Sequence, residues 1–402
     1  MITVLCFSIY CIIMLWKPRH LASEKSSEIP MNISDLSRNA YLLSGSLSKK
    51  GYMRWFHSFS ALQPQTGERR VFFIEYLIMN PSLGGSRPIL GQLPYNRRRG
   101  ILPSYLLVKA GAFAGDGGAA PLQLHNFYPL TELKIAYNPF VMQFGENFYS
   151  EQLIRGCVDV SHPDSRRKSF MSDEGQMEWD LKVHKAIACH TGHLADAFHC
   201  AANALDSFWH GEGIQTQYSG TVTLDGVAYE VTPTESYGYA DKHWGQRFNT
   251  PWLQLASCRL TSERTGKELK HSAFAADGCC PGFLWFRLKH KLLLQLTYEG
   301  QDFEFNFSPF HRNCKWIRKK TSKRLIWQIV AQNKDAVIKV TLNSLLENML
   351  QLNYEDPTGA RPGPLSGTGD GVGKILLYRR TPEGKELIDT LTAENVLCIS
   401  EE

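Results

Sequence analysis

The chain has 402 residues, 43% of them hydrophobic, and carries 44 Lys and Arg against 39 Asp and Glu, a formal net charge of +5. That length and apolar fraction suffice for two domains with buried cores and exclude a mostly disordered chain. The charge excess is small and forms no dense basic stripe beyond Arg97–Arg99 and Lys315–Arg324, which argues against nucleic acid as a partner.

Residues 1–20 open with MITVLCFSIYCIIMLW, an uncharged run followed by Lys17 and Arg19. It is short for a membrane span and lacks the positive start and small-residue cleavage site of a signal peptide. A membrane anchor, an export segment, a translation-start extension and a buried strand all stay open. Residues 21–40 are polar and Ser-rich and read as a linker. The ten cysteines are scattered and read as small core residues in a reducing compartment. A cytoplasmic or peripheral membrane-associated protein is the expectation.

From Tyr41 onward, short aromatic and β-branched runs alternate with turn residues. GYMRWFHSFSAL, the turn QPQTGERR and VFFIEYLIMN make a hairpin. Asp225-Gly226 marks a second, inside TQYSGTVTLDGVAYEVTPT. HTGHLADAFHCAANALDSFWH is the one stretch with helical spacing, and YEDPTGARPGPLSGTGDGVGK reads as a long surface loop. The fold expected is all-β, with two lipocalin-like barrel or β-sandwich domains packed together and at most one or two short helices. The domains are placed at 41–210 and 211–402.

Strand alternation divides SYGYADKHWGQRFNTPWLQLASC, Ser236–Cys258, into two rows. Tyr237, Tyr239, Asp241 and His243 share one face; Lys242 and Trp244 share the other. After the turn, Trp252 and Gln254 point the same way. A polar row among aromatics suits the wall of a ligand pocket, because buried polar groups need partners. A solvated face carrying the same charges is the alternative, and the residues leave both open. In the first hairpin, Trp55 and His57 share one parity. Glu75 stands in the apolar run VFFIEYLIM, where an acid requires a partner, water or a ligand. It is either an ion-pair member or a site carboxylate, and Lys109 is its natural partner in both cases.

The stretch CHTGHLADAFHC, with Cys189, His190, His193, His199 and Cys200, matches no closed zinc module. GTGDGVGK ends in Lys374 with no Ser or Thr after it, which excludes a nucleotide-phosphate loop. No serine nucleophile elbow or dinucleotide fingerprint is present. No cofactor and no metal are therefore expected.

Around YADKHWGQRFNTPWLQLASC the chain resembles the tocopherol cyclase family. Ala240, Asp241, Lys242, Trp244 and Gly245 match the opening of its Ala-acid-Lys-Asn-Trp-Gly motif, Trp252 the tryptophan of the next strand, and Cys258 its cysteine. YMRWFHSF and FFIEYLIMNPSLGG, with Asn80-Pro81, resemble two earlier strands, so the likeness spans most of Tyr41–Cys398. His243 replaces the usual Asn, and Asp241 the usual Glu. The resemblance implies paired barrel-like β domains and ring closure of a prenylated phenol or related isoprenoid without a redox cofactor. It implies Asp241 as proton donor, Glu75 as second candidate, and His243 as base or as the partner that sets the acid's protonation. Trp55, His57, Lys109, Tyr239, Trp244, Trp252 and Gln254 would line the substrate, a hydrophobic prenylated or lipid-like molecule, with Trp244 brought to the rim by a local bulge. Membrane association is compatible with it. A non-catalytic lipid or isoprenoid binder with a lipocalin-like pocket is the competing reading.

Overall fold

The computed structural model describes residues 38–115, 117–161, 172–189, 206–248, 252–279, 282–283, 286–287, 291–306, 314–360 and 363–401. The chain divides into Met1–Pro30 and Met31–Glu402, and the elements below all belong to the second unit. The apolar opening, most of the polar linker and the helical stretch with His190, His193, His199 and Cys200 lie outside the described residues.

Alternation of apolar and polar residues makes strands here, and turn chemistry joins them. The opening hairpin is β1 (Tyr52–Leu62) and β2 (Arg69–Met79), followed by β3 (Tyr105–Ala112) and β4 (Leu122–Tyr128). A meander follows: β5 (Lys134–Tyr137), β6 (Phe140–Phe144), β7 (Asn147–Ser150), β8 (Leu153–Asp159) and β9 (Gln176–Ile187). Then come β10 (Ser207–Leu224), β11 (Val227–Val231) and β12 (Gly238–Gly245). Asp225 and Gly226, at φ 49° and 78°, make the tight turn between β10 and β11. These twelve strands form one antiparallel sheet. Both β11 and β12 lie between β1 and β10, as two halves of one interrupted strand, so the pairing closes into a circuit of four strands. The others extend it on either side. The sheet curls, since Asp173 N donates to Gln123 O at 2.8 Å and His125 N to Ser172 Oγ at 3.1 Å, bringing β4 against the approach to β9.

The second sheet begins with β13 (Leu253–Ser257), β14 (Arg259–Ser262) and β15 (Ala273–Cys279). A small hairpin, β16 (Gly282–Phe283) and β17 (Phe286–Arg287), precedes β18 (Lys291–Tyr298) and β19 (Gln301–Asn306). The sheet is completed by β20 (Cys314–Lys320), β21 (Arg324–Gln332), β22 (Ala336–Leu345), β23 (Leu350–Leu352), β24 (Leu365–Thr381) and β25 (Gly384–Glu401). Its order, β19-β18-β15-β13-β25-β24-β22-β21-β20, leaves β19 and β20 as edges of a curled half-barrel. Helix among the described residues is short, as in α1 (Ser46–Lys49) and α2 (Pro94–Arg98), and none is long and apolar enough to cross a membrane.

The all-β expectation therefore holds, but the two halves differ: a four-stranded closed circuit with extensions, and an open half-barrel. The division placed at 210/211 falls inside β10, four residues into the strand, and the chain changes sheets between Gly245 and Leu253. The expected surface loop is also corrected. Tyr354, Glu355 and Asp356 are buried, and Leu365–Thr381 is a strand paired with both β22 and β25.

Three apolar clusters result. One fills the first sheet around Trp55, Tyr149 and Trp244, and one fills the second around Trp327, Leu342 and Leu391. The third lies between them, where Tyr52, Phe56 and Trp209 meet Trp252, Ala275 and Ile399.

Candidate active site

The third cluster contains charges. Pairing register places Asp241 of β12 opposite Phe56 of β1, Phe56 opposite Glu75 of β2, and Glu75 opposite Lys109 of β3. His243 lies opposite Arg54 in the next row. With a side-chain period of two, all these residues face the second sheet.

Arg54 ties the row together. Its Nε donates to Glu75 Oε2 at 2.6 Å, and its Nη1 lies 3.6 Å from Asp241 Oδ1. The guanidinium carbon stands 4.4 Å from the Phe56 ring centroid and 5.3 Å from that of Trp252. Glu75 Oε2 also accepts from the Tyr354 hydroxyl at 2.7 Å, while Lys109 Nζ lies 3.6 Å from Oε1 and 3.7 Å from the Tyr354 ring centroid. Lys109 donates to Asn353 O at 3.2 Å. Burial alone would raise the Glu75 pKa, but Lys109 and Arg54 outweigh it and hold the carboxyl below its usual range. Burial lowers Lys109 to about 8.

The other end is built by both sheets. Asp241 Oδ2 accepts from Gln254 Nε2 at 2.7 Å, the Tyr239 hydroxyl at 2.9 Å and Trp209 Nε1 at 3.0 Å. His243 Nε2 stands 3.3 Å from Asp241 Oδ2 and 3.4 Å from Asp277 Oδ2 of β15. These are close contacts without hydrogen-bond alignment. The His243 and Trp252 rings are 4.9 Å apart. The two carboxyls differ sharply. Burial would raise Asp241, yet His243, Arg54 and the Tyr239 hydroxyl keep it below the ordinary aspartate value. Burial raises Asp277 to about 6, helped by the Asp241 charge and opposed by His243 and Arg54.

Among the described residues, several atoms in this cluster are buried without an aligned hydrogen-bond partner: Arg54 Nη1, Asp241 Oδ1, His243 Nε2, Gln254 Oε1 and Asp277 Oδ2. Buried polar atoms are costly in that condition, and a group of both donors and acceptors marks a place where a polar ligand atom or water would be held. Chemically the arrangement can deliver a proton, receive one, and place a fixed anion beside an aromatic wall.

The sequence-designated residues divide between two faces. Asp241, His243, Glu75, Lys109, Tyr239, Trp252 and Gln254 converge between the sheets. Trp55, His57 and Trp244 do not: they point into the first sheet. Trp244 stacks on Phe208 with centroids 5.4 Å apart. Strand β12 stays in register with β1 from Tyr239 to Gly245, so no bulge swings Trp244 round; the irregularity lies in β10 after His210. On that inner face Lys242 Nζ donates to Arg38 O at 2.5 Å and also to Ala40 O, and Trp55 Nε1 donates to Asn39 O at 3.0 Å. His57 shares a hydrogen bond with the Tyr218 hydroxyl at 2.9 Å, and burial with nearby Lys185 pushes its pKa down to about 3.

Sequence reasoning missed Arg54, Trp209, Asp277 and Tyr354. Arg54 carried the same signal as Glu75, a charge inside an apolar strand. Asp277 sits in AFAADGC, where small residues let the sheets approach. Tyr354 had no local signal, since its role depends on strands far away in the chain.

No family model matches the chain, and no curated protein matches it by sequence. Among solved structures it is similar to kievitone hydratase from Nectria haematococca, with TM-score 0.49 and 12% identity over 93% of this chain and 94% of that one. It is also similar to CghA, solved with Sch210972, with TM-score 0.44 and 10% identity over 88% of this chain and 89% of that one. At such identities and scores the likeness carries nothing about chemistry.

Proposed function

We propose that the chain is an acid–base enzyme of the tocopherol cyclase type, closing a prenylated phenol or related isoprenoid by protonating its alkene, without redox change. One observation carries this reading: the buried, incompletely partnered atoms of Asp241, His243, Asp277 and Arg54 meet beneath the rings of Phe56 and Trp252. Asp277, not Asp241, has the environment of a proton donor, because its pKa of about 6 keeps a useful fraction protonated near neutral pH. Asp241 is the fixed anion that steadies the developing cation and orients His243.

The Asp277 proton adds to the less substituted alkene carbon, and the phenolic oxygen attacks the resulting tertiary cation. The phenolic proton then returns to the Asp277 carboxylate, directly or through His243. Atoms and charge balance as an isomerisation. Each aromatic face stabilises the cation by roughly 0.5–2 kcal/mol.

The test uses purified parent, Asp277→Asn and Asp241→Asn with a panel of prenylated phenols. Asp277→Asn should retain binding and turn over at least about 100-fold more slowly, and parent kcat should fall as pH rises through about 6. Unchanged turnover in Asp277→Asn removes it as the acid. Tight binding by all three proteins without conversion replaces the enzyme with a lipid or isoprenoid binder.

A further inference from the structure

The basic run Lys315–Arg324 takes no part in the cluster between the sheets. It occupies β20 and the start of β21, at the free edge of the second sheet. The segment Cys314–Lys334 contains no Asp or Glu, while Lys315–Arg324 holds six Lys and Arg. Lysine on an edge strand discourages edge-to-edge pairing, which would account for β20 alone. It does not account for the strands beside it.

Trp327, Val340 and Ile375 point into the core of the second sheet, so the alternate residues of β21, β22 and β24 form its outer face. Register aligns that face into rows. Lys315 stands beside Val330 and then Lys339; Ile317 beside Gln328, Thr341 and Lys374; Lys319 beside Ile326, Asn343 and Val372. None of these rows contains a carboxylate. Glu263 reaches Lys374 from outside them, at 2.6 Å.

Apolar side chains are exposed in the same rows and just beyond them. Ile317 is 48% exposed, Val330 46% and Val372 42%, and Leu387, opposite Tyr378, is 50% exposed. Among the described residues, every large hydrophobic exposed in the second sheet lies on this face. At its far end the Lys339 and Lys385 ammoniums lie 5.7 and 4.6 Å from the Tyr378 ring centroid. The Lys339 charge depresses the Lys385 pKa, so two like charges are held together there.

We infer that the outer face of β20, β21, β22 and β24 docks on an anionic phospholipid bilayer. Ammonium groups spread over a broad sheet face complement lipid phosphates, and Ile317, Val330 and Val372 enter the headgroup boundary between them. Nucleic acid fits less well. It favours arginine forks and open aromatic platforms, and the ring beside these rows, Tyr378, is covered by two ammoniums.

The experiment is vesicle co-sedimentation of the full chain with phosphatidylcholine alone and with phosphatidylcholine containing phosphatidylserine, at low and high salt. The parent should bind the anionic vesicles at least tenfold more tightly than the neutral ones, and high salt should remove that increment. The variant Lys315→Gln/Lys319→Gln/Lys339→Gln should lose the increment, and Ile317→Ser/Val330→Ser should weaken it several-fold at unchanged charge. Both variants change exposed or half-buried side chains, and parent-like melting confirms their fold. Equal binding to both vesicle types overturns the inference, because another segment would then supply the affinity. So does an increment unchanged in the lysine variant, or stronger lysine-dependent binding to double-stranded DNA than to anionic vesicles.

Discussion

Asp241 and Asp277 are both buried beside His243, yet they are driven in opposite directions. Asp241 receives three hydrogen bonds and faces Arg54, whereas Asp277 has Asp241 itself as a near neighbour. The raised Asp277 pKa has a consequence for stability. Its folded value of about 6 exceeds the ordinary 3.8, so the native state binds the proton more tightly than the unfolded chain. The stabilisation is full below about pH 4 and is lost as pH rises through about 6, a swing of up to about 3 kcal/mol. Asp277→Asn removes that titration. Chemical denaturation of parent and variant at pH 4.5 and 7.5 should show their difference moving in favour of the variant at the higher pH; a difference independent of pH would contradict the assignment. At this scale the sequence exposed the site unevenly. Asp241, His243 and Glu75 were visible as charges in strand-like runs, and alternation correctly set Lys242 and Trp244 apart from them. What it could not supply was the partner across the gap, because a strand pattern says which residues share a face but not which sheet lies over it.

Strand β24 shows the same limit for a whole element. Its opening, LSGTGDGVGK, reads as a loop because glycine at every second position erases the apolar half of the alternation. The structure gives the reason for the glycines. A Cβ on Gly369 would lie 2.6 Å from Val71 Cγ1 of the first sheet, and one on Gly373 would lie 2.1 Å from the backbone oxygen of Thr341. Glycine thus lets the two sheets, and β22 beside β24, come closer than any side chain permits. Gly373→Ala should therefore cost more than about 2 kcal/mol, because the obstructing atom is backbone and cannot move alone. Gly85→Ala, where nothing lies within 4 Å of the added Cβ, should stay within about 0.5 kcal/mol. Denaturant unfolding of both variants tests the contrast, and similar small losses would mean that β24 tolerates a side chain there. By comparison, the hairpins β1–β2 and β10–β11 were legible throughout, since their alternation and their turns agree.

The whole unit is held together where its two sheets meet and where residues 38–40 enter the first. Across the sheets, Gln254 bonds Asp241, Tyr354 bonds Glu75 and Lys109 bonds Asn353, all within a shared apolar cluster. Neither sheet can open there without exposing charges whose partners belong to the other, which couples their unfolding. The sequence suggested two domains joined near residue 210, but a boundary is readable only where the chain leaves one core for another, and β10 runs through that point without a break. At the N-terminal side the chain carbonyls of Arg38 and Ala40 accept from Lys242, and that of Asn39 from the Trp55 indole. Removing residues 1–30 deletes none of these acceptors. Removing residues 1–41 deletes all three and leaves an ammonium and an indole N–H buried without them, at a cost of about 1–3 kcal/mol for the neutral donor and more for the charged one. The shorter truncation should melt within a few degrees of the full chain, in a single transition seen alike by tryptophan fluorescence and circular dichroism. The longer one should melt many degrees lower, and Lys242→Met in the longer truncation should recover part of the loss by removing the ammonium that has lost these two carbonyl acceptors. Equal melting of the two truncations would show that residues 38–40 do not hold Lys242 and Trp55 in solution.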